Sequence, residues 1–154
     1  MIIREEAASD IEQITAITAA AFAPKPYSNG SEPAVIAAVR ASGDLTLSLV
    51  AEEDGVILGQ ITFTPVAVRP DRQSEGIGAA LIKDGLARLK QLDAAGCVLV
   101  GNPDYYGRFG FQNHCGLSYS GLDARIVQKR VLAGPDKTGK LTYCDSFEAA
   151  ARGV

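Results

Sequence analysis

The sequence predicts a mixed α/β fold around a central sheet. Short apolar stretches with strand character occur at residues 46–52 and 56–63. Elsewhere apolar residues recur at helical spacing, as Leu81, Ile82, Leu86 and Leu89 do. The two kinds of stretch also interleave. The order is strand, two helices, a hairpin, a strand–helix–strand crossover and further strands. The 154 residues suit one domain, 1–154, and show no repeat, low-complexity tract or linker.

Residues 2–4, IIR, form the first expected strand. Ser9 and Glu12 have capping-box spacing, with Ser9 at the N-cap and Glu12 reaching back. Ile11, Ile14, Ile17 and Ala21 then share a helical face, and Pro24 and Pro26 end the helix. Residues 32–41 form a second helix around Val35, Ile36 and Val39, closed by Gly43-Asp44. Residues 46–52 are a strand, and 56–63 its return. Between them, 53–55 make a three-residue loop, with Gly55 where a hairpin turn needs positive φ. Val66–Val68 is a further strand, and residues 78–92 an amphipathic helix. Residues 97–100, CVLV, are wholly apolar, as expected of a strand covered on both faces. Residues 105–109 suit one helical turn. Phe111, 127–132 and 141–145 suit later strands.

Hydrophobic residues are 47% and charged residues 21%, an ordinary globular mix. A net charge of −3 gives no general attraction for nucleic acid or an anionic membrane. The start, MIIREEAASD, lacks a signal-peptide pattern, and no apolar run has bilayer length. The expected location is cytoplasmic. Cys97, Cys115 and Cys144 are widely spaced, with no metal-ligand pattern, so reduced thiols and no metal are expected. His114 and Cys115 are neighbours, but adjacent strand residues point to opposite faces, which argues against a dyad.

Residues 69–82, RPDRQSEGIGAALI, join a strand to a helix through two glycines, Gly76 and Gly78. A helix start leaves several N–H groups without partners and carries partial positive charge. Glycines let a phosphate come close to those groups. On spacing alone, a tight turn and a phosphate cradle both remain open. Lys83 is misplaced for a P-loop, and Gly78 is not followed by the third glycine of a Rossmann fingerprint.

Gln73, Gly76 and Gly78 resemble motif A, [RQ]xxGxG/A, of the GNAT superfamily of N-acetyltransferases. Downstream, Tyr106 and Gly110-Phe111 resemble motif B, a tyrosine, three residues, then GF. The form YYGRFGF after GNP, and the tail LTYCDSFEAA, look like the YhbS-like branch. The resemblance covers most of the chain. It implies a GNAT-like acyl-CoA N-acyltransferase fold, a three-layer α/β/α arrangement with a mixed sheet. It also implies acetyl-CoA as co-substrate. The pantetheine arm would lie along Val66, Ala67 and Val68, and the pyrophosphate on the N–H groups of Ser74, Glu75, Gly76, Ile77, Gly78 and Ala79. Arg72, Gln73, Asn102 and Tyr106 complete the expected cofactor set. A basic residue is common where Ser74 or Glu75 stands, so the acidic Glu75 departs from the pattern, and Arg72 is expected to supply the charge.

The implied reaction is direct attack of a neutral amine on the acetyl thioester. Tyr106 would be the general acid for the departing thiolate. Glu52 or Glu53 would be the base, with Glu52 the named candidate. Tyr105, Phe109 and Phe111 are expected to pack in the core. The implied acceptor is a small-molecule or protein amine. A non-catalytic acyl-CoA-binding or sensing domain is the alternative, and an exposed sheet edge offers a way to form a homodimer.

One stretch departs from the family. Residues 59–73 show no Gly, Asn or Asp cluster to reverse the chain. The family's further turn and strand are absent near residues 64–67, so a loop and part of a strand, about a dozen or more residues, are expected there in the natural protein. An intact mass equal to that of 154 residues excludes such a segment.

Overall fold

The structure is a computed structural model that describes residues 1–62 and 65–152. The chain forms two compact units, Met1–Gly85 with Tyr143–Val154, and Leu86–Thr142.

The first unit is built on an antiparallel four-stranded sheet in the order β1-β2-β3-β4. The strands are β1 (Ile2–Glu5), β2 (Leu49–Glu53), β3 (Val56–Ile61) and β4 (Val66–Val68). β3 and β4 pair antiparallel, with Ile61 opposite Val66 and Gly59 opposite Val68. The chain therefore reverses between Ile61 and Val66, where the sequence holds Pro65 but no Gly, Asn or Asp. Thr62 N–H donates to the Pro65 carbonyl at 3.4 Å, which closes the reversal. β2, β3 and β4 thus form an antiparallel run of three strands. Phe63 and Thr64, part of the suspected join, lie outside the described residues.

Two helices, α1 (Ile11–Phe22) and α2 (Glu32–Ser42), cover one face. Ile14, Ile17 and Ala21 of α1 and Ile36 of α2 pack with Val50, Ile57 and Ala67 of the sheet. The first turns of α3 (Ile77–Gln91) cover the other face, where Ile77 and Leu81 approach Gly59. Gly43 closes α2 in the left-handed region at φ 80°, as its position predicted. The hairpin loop is two residues long rather than three. Asp54 and Gly55, at φ 52° and 79°, supply the paired positive φ angles of a tight hairpin turn.

The start of α1 is also corrected. A short 3-10 turn, Ala8–Asp10, precedes it, and Asp10 rather than Glu12 accepts the backbone N–H, from Ala7 at 2.7 Å. Asp10 is buried, and Arg4 reaches it at 2.7 Å while also holding Glu52 at 2.6 Å. Arg4, with the Ala7 N–H, holds the Asp10 carboxyl below the usual carboxylate range. Nearby, burial pushes the Glu6 carboxyl up, but hydrogen bonds from Arg40 and Ser48 outweigh it and lower it overall. A carboxyl lowered by folding stabilises the native state above its unfolded pKa. That contribution is lost as pH falls through the folded value. The melting temperature is therefore expected to drop as pH falls below about 4. Asp10→Asn should be less stable at pH 7 yet lose less on acidification. An acid limb unchanged by Asp10→Asn removes Arg4–Asp10 as its source.

The second unit pairs β5 (Gly96–Val100) antiparallel with β7 (Val127–Val131), and β6 (Leu117–Ser118) in parallel with β8 (Gly139–Lys140). β5 is not sealed on both faces as its composition suggested, since its central residues are half-buried and its ends exposed. Gln112, next to the expected Phe111 strand, makes one isolated bridge to Lys129. Residues 141–145 are no strand. Asp145 opens α5 (Asp145–Ala151), which belongs to the first unit and packs on α2.

Candidate active site

β4 is the outermost strand of its sheet. Arg69 N–H donates to the Leu58 carbonyl at 2.8 Å, so Leu58–Arg69 is a hydrogen-bonded pair. Antiparallel pairs alternate, which makes Gln60–Ala67 the next bonded pair and leaves Val66 and Val68 facing away. Their N–H and C=O groups point out of the sheet edge. In agreement, the Val68 carbonyl accepts from the Gln73 side chain at 3.1 Å. An extended amide-bearing chain could add along this edge as a strand does.

A 3-10 turn at Pro70–Arg72 leads from β4 into the glycine loop. Ser74 and Gly76 both take positive φ, 67° and 86°. A left-handed serine costs about 1 kcal/mol, and such strain collects at functional loops. A Cβ built on Gly76 meets nothing within 4 Å, so backbone conformation rather than crowding calls for glycine there. Ala80 N–H donates to the Gly76 carbonyl at 3.0 Å, the first bond of α3. The N–H groups of Gly76, Ile77, Gly78 and Ala79 thus have no carbonyl one turn earlier within the helix. Ser74, Glu75 and Gly76 are exposed, and Gly78 and Ala79 partly so. These donors and the positive end of α3 suit an anion.

Arg72 lies in this loop as expected, but it is engaged by two acids. Its Nε donates to Glu75 at 2.8 Å, and its terminal nitrogens reach Glu53 at 3.3 Å. Glu53 thereby ties the β2–β3 hairpin to the loop, a link the sequence did not reveal. Glu52, the expected base, is held by Arg4 at 2.6 Å. Opposite Ile57, it stands in a register beyond the Gly59–Val68 pair, towards the hairpin end. Both observations speak against its acting on a reaction centred on β4.

The second unit holds Asn102 and Tyr106. Asn102 caps the short helix α4 (Pro103–Tyr106), its side chain accepting from Asp104 N–H at 2.9 Å. The Tyr106 ring stands edge-on to Tyr105 and Phe111, at 5.0 and 5.9 Å between centroids. Phe109 and Phe111 are buried, as expected of core aromatics, while Tyr105 is half-buried with the Arg108 guanidinium 4.6 Å above its ring. Burial pushes the Cys97 thiol up to about 12, which keeps it protonated and inert at neutral pH. Among the described residues, no His/Cys/Asp/Glu group could hold a metal ion, and no helix is long and apolar enough to cross a membrane.

No family model matches the chain. The uncharacterised N-acetyltransferase YhbS of Escherichia coli K12 is 30% identical in an alignment of 128 residues that covers 73% of this chain and 74% of that protein. The chain belongs to the GNAT family of N-acetyltransferases. A GNAT acetyltransferase from Brucella melitensis, solved with acetyl-CoA, is 40% identical. The match covers 95% of this chain and 97% of that one, at a TM-score of 0.82. YhbS from Escherichia coli, solved with CoA, is 26% identical, and 96% of this chain matches 91% of that one at a TM-score of 0.84. The GNAT fold predicted from motifs A and B is therefore the fold found, and the chain is an acyltransferase by family.

An anion placed at the loop would meet a guanidinium already occupied by the Glu75 carboxylate. Glu75→Gln releases Arg72 from one of its two acids, leaving Glu53, and removes a like charge from the loop. It is expected to tighten CoA binding about two- to fivefold at low salt, the scale of one exposed ion pair. Unchanged or weaker binding by calorimetry would show that Arg72 does not serve the anion.

Proposed function

We propose that this GNAT protein transfers the acetyl group of acetyl-CoA to a primary amine by direct attack. The observation that carries the reading is the continuity of β4 with the glycine loop. Outward amides at Val66 and Val68 run directly into the N–H groups of Gly76–Ala79 at the start of α3. An amide-rich arm ending in a pyrophosphate fits that sequence of donors and acceptors. The complexes of the Brucella and Escherichia coli proteins with acetyl-CoA and CoA support the same ligand class.

In this reading the pantetheine amides pair with the open edge of β4, and the pyrophosphate rests on the helix start. A neutral amine attacks the thioester carbonyl carbon. Charge develops on the carbonyl oxygen, where an outward N–H of β4 would stabilise it. The C–S bond then breaks and the sulfur leaves as a thiolate; Tyr106 donates a proton or a hydrogen bond to it, while the attacking nitrogen sheds its extra proton to water to give the amide. The acceptor enters as an ammonium ion and must lose a proton first. The commitment of Glu52 to Arg4 leaves that step to bulk water or a water chain in this reading.

That same commitment favours a second reading, a non-catalytic acyl-CoA-binding domain. Two measurements order the possibilities. Saturating CoA should raise the melting temperature, by an amount equivalent to about 2.7 kcal/mol at a hundredfold excess over Kd. Acetyl-CoA with pooled polyamines, aminoglycosides, amino acids and lysine peptides should release free thiol. Protection without release supports the binding domain. No protection overturns both.

A further inference from the structure

We infer that Gly101 and Gln128 form a positioning device for Tyr106, an assignment that rests on Tyr106 acting at the sulfur. Gly101 follows β5 directly and has no positive φ, so its backbone suits any residue. What requires glycine is the tyrosine. A Cβ built on Gly101 would stand 2.7 Å from Tyr106 Cε2 and 3.1 Å from Cδ2. No such contact is sustainable, and the obstacle is the side of an aromatic ring rather than the far end of a flexible chain. The missing Cβ is thus the seat of the ring.

The seat itself is held. Gly101 N–H donates to the Ile126 carbonyl at 3.0 Å. The Gly101 carbonyl accepts from Gln128 Nε2, also at 3.0 Å. Gln128 lies in β7 opposite Leu99 and is fully buried. Its Oε1 finds no hydrogen-bond partner among the described residues. An orphaned buried amide oxygen is costly, and leucine would fill similar space without that cost. Glutamine offers what leucine cannot, a donor to the Gly101 carbonyl. Phe111 and Tyr105 also stand edge-on against the ring. Both Tyr105 and Tyr106 N–H groups donate to the Asn102 carbonyl, which fixes the backbone that carries the ring.

An acid displaced by about 1 Å can lose on the order of a hundredfold in rate. Gly101→Ala is therefore expected to lower kcat about 10- to 100-fold with little change in the Kd of CoA. Gln128→Leu should lower kcat less, about 3- to 10-fold. The decisive measurement is a double-mutant cycle. In the Tyr106→Phe background, Gly101→Ala should cause no further fall in kcat, because the hydroxyl it misplaces is gone. Equal falls in both backgrounds would overturn the inference. If Tyr106→Phe alone leaves kcat unchanged, the acid assignment fails instead, and the two failures are told apart. Should Gly101→Ala not fold, the same cycle run with Gln128→Leu keeps the test.

Discussion

Tyr106→Phe is expected to lower the turnover of acetyl-CoA about 10- to 100-fold while its Kd changes less than about twofold. The substitution keeps everything the ring does for packing. It leaves the edge contacts with Tyr105 and Phe111 and the seat at Gly101 in place, and removes a single hydroxyl. General acids in enzymes contribute roughly 10²- to 10⁴-fold. An effect at or below the lower end is expected here because a thiol has a pKa near 8.5. A thiolate is a fair leaving group without full protonation, so water can partly replace the tyrosine. Steady-state kinetics with CoA titrated by calorimetry measures both quantities. A rise in Kd that matches the fall in kcat/KM would make the hydroxyl a binding group rather than an acid. No change in either would remove Tyr106 from the chemistry.

Where the apolar period was strong, the elements were legible almost to the residue. The helix expected at 78–92 is found at Ile77–Gln91, and the one expected at 32–41 at Glu32–Ser42. Each has enough turns to show a periodic apolar face. The misses are short or lack such a pattern. α5 has fewer than two full turns, too few to reveal a period, and its flank LTYCD carries β-favouring residues. The stack of Tyr143 on Phe147, 4.2 Å between centroids, joins that flank to the helix. The β3–β4 reversal offered only Pro65 and no Gly, Asn or Asp as a turn signal, and the pairing of Gly59 with Val68 shows the return that those residues did not announce.

The site was legible as a set of residue types and illegible in its contacts. Two glycines show the difference. Gly76 is required by its φ of 86° in open space, and Gly101 by a neighbouring ring at ordinary φ. The letter is the same, and the choice between conformation and crowding is settled only by what lies beside it. Glu52 and Arg72 carry the same lesson for charge. Both were read as free to act, yet Arg4 holds the first, and Glu75 and Glu53 hold the second. Arg4 lies 48 positions from its partner Glu52, beyond the reach of any local pattern.

Gly59→Val is expected to destabilise the protein by about 2–3 kcal/mol, a fall in melting temperature of roughly 5–10 °C. The reason lies in how α3 meets the sheet. A Cβ on Gly59 would come within 3.0 Å of the Ala67 carbonyl oxygen and 3.2 Å of Ile77 Cγ2 and Leu81 Cδ1. Leu81 is fully buried and Ile77 nearly so, so neither side chain has free space to retreat into. Alanine asks its neighbours to yield a few tenths of an ångström. The two further methyl groups of valine demand more and would lift the first turn of α3 from β3 and β4. That turn carries the N–H groups of Ile77, Gly78 and Ala79, so the substitution should weaken CoA binding as well as stability. Gly107→Ala is the control, since a Cβ there meets nothing within 4 Å and the backbone has no positive φ. Thermal melts with and without CoA separate the two effects. The valine variant should melt lower and gain less from CoA than the parent, while Gly107→Ala should match the parent in both. A valine variant that keeps the full CoA-dependent rise would mean that the anion site does not depend on how α3 is seated.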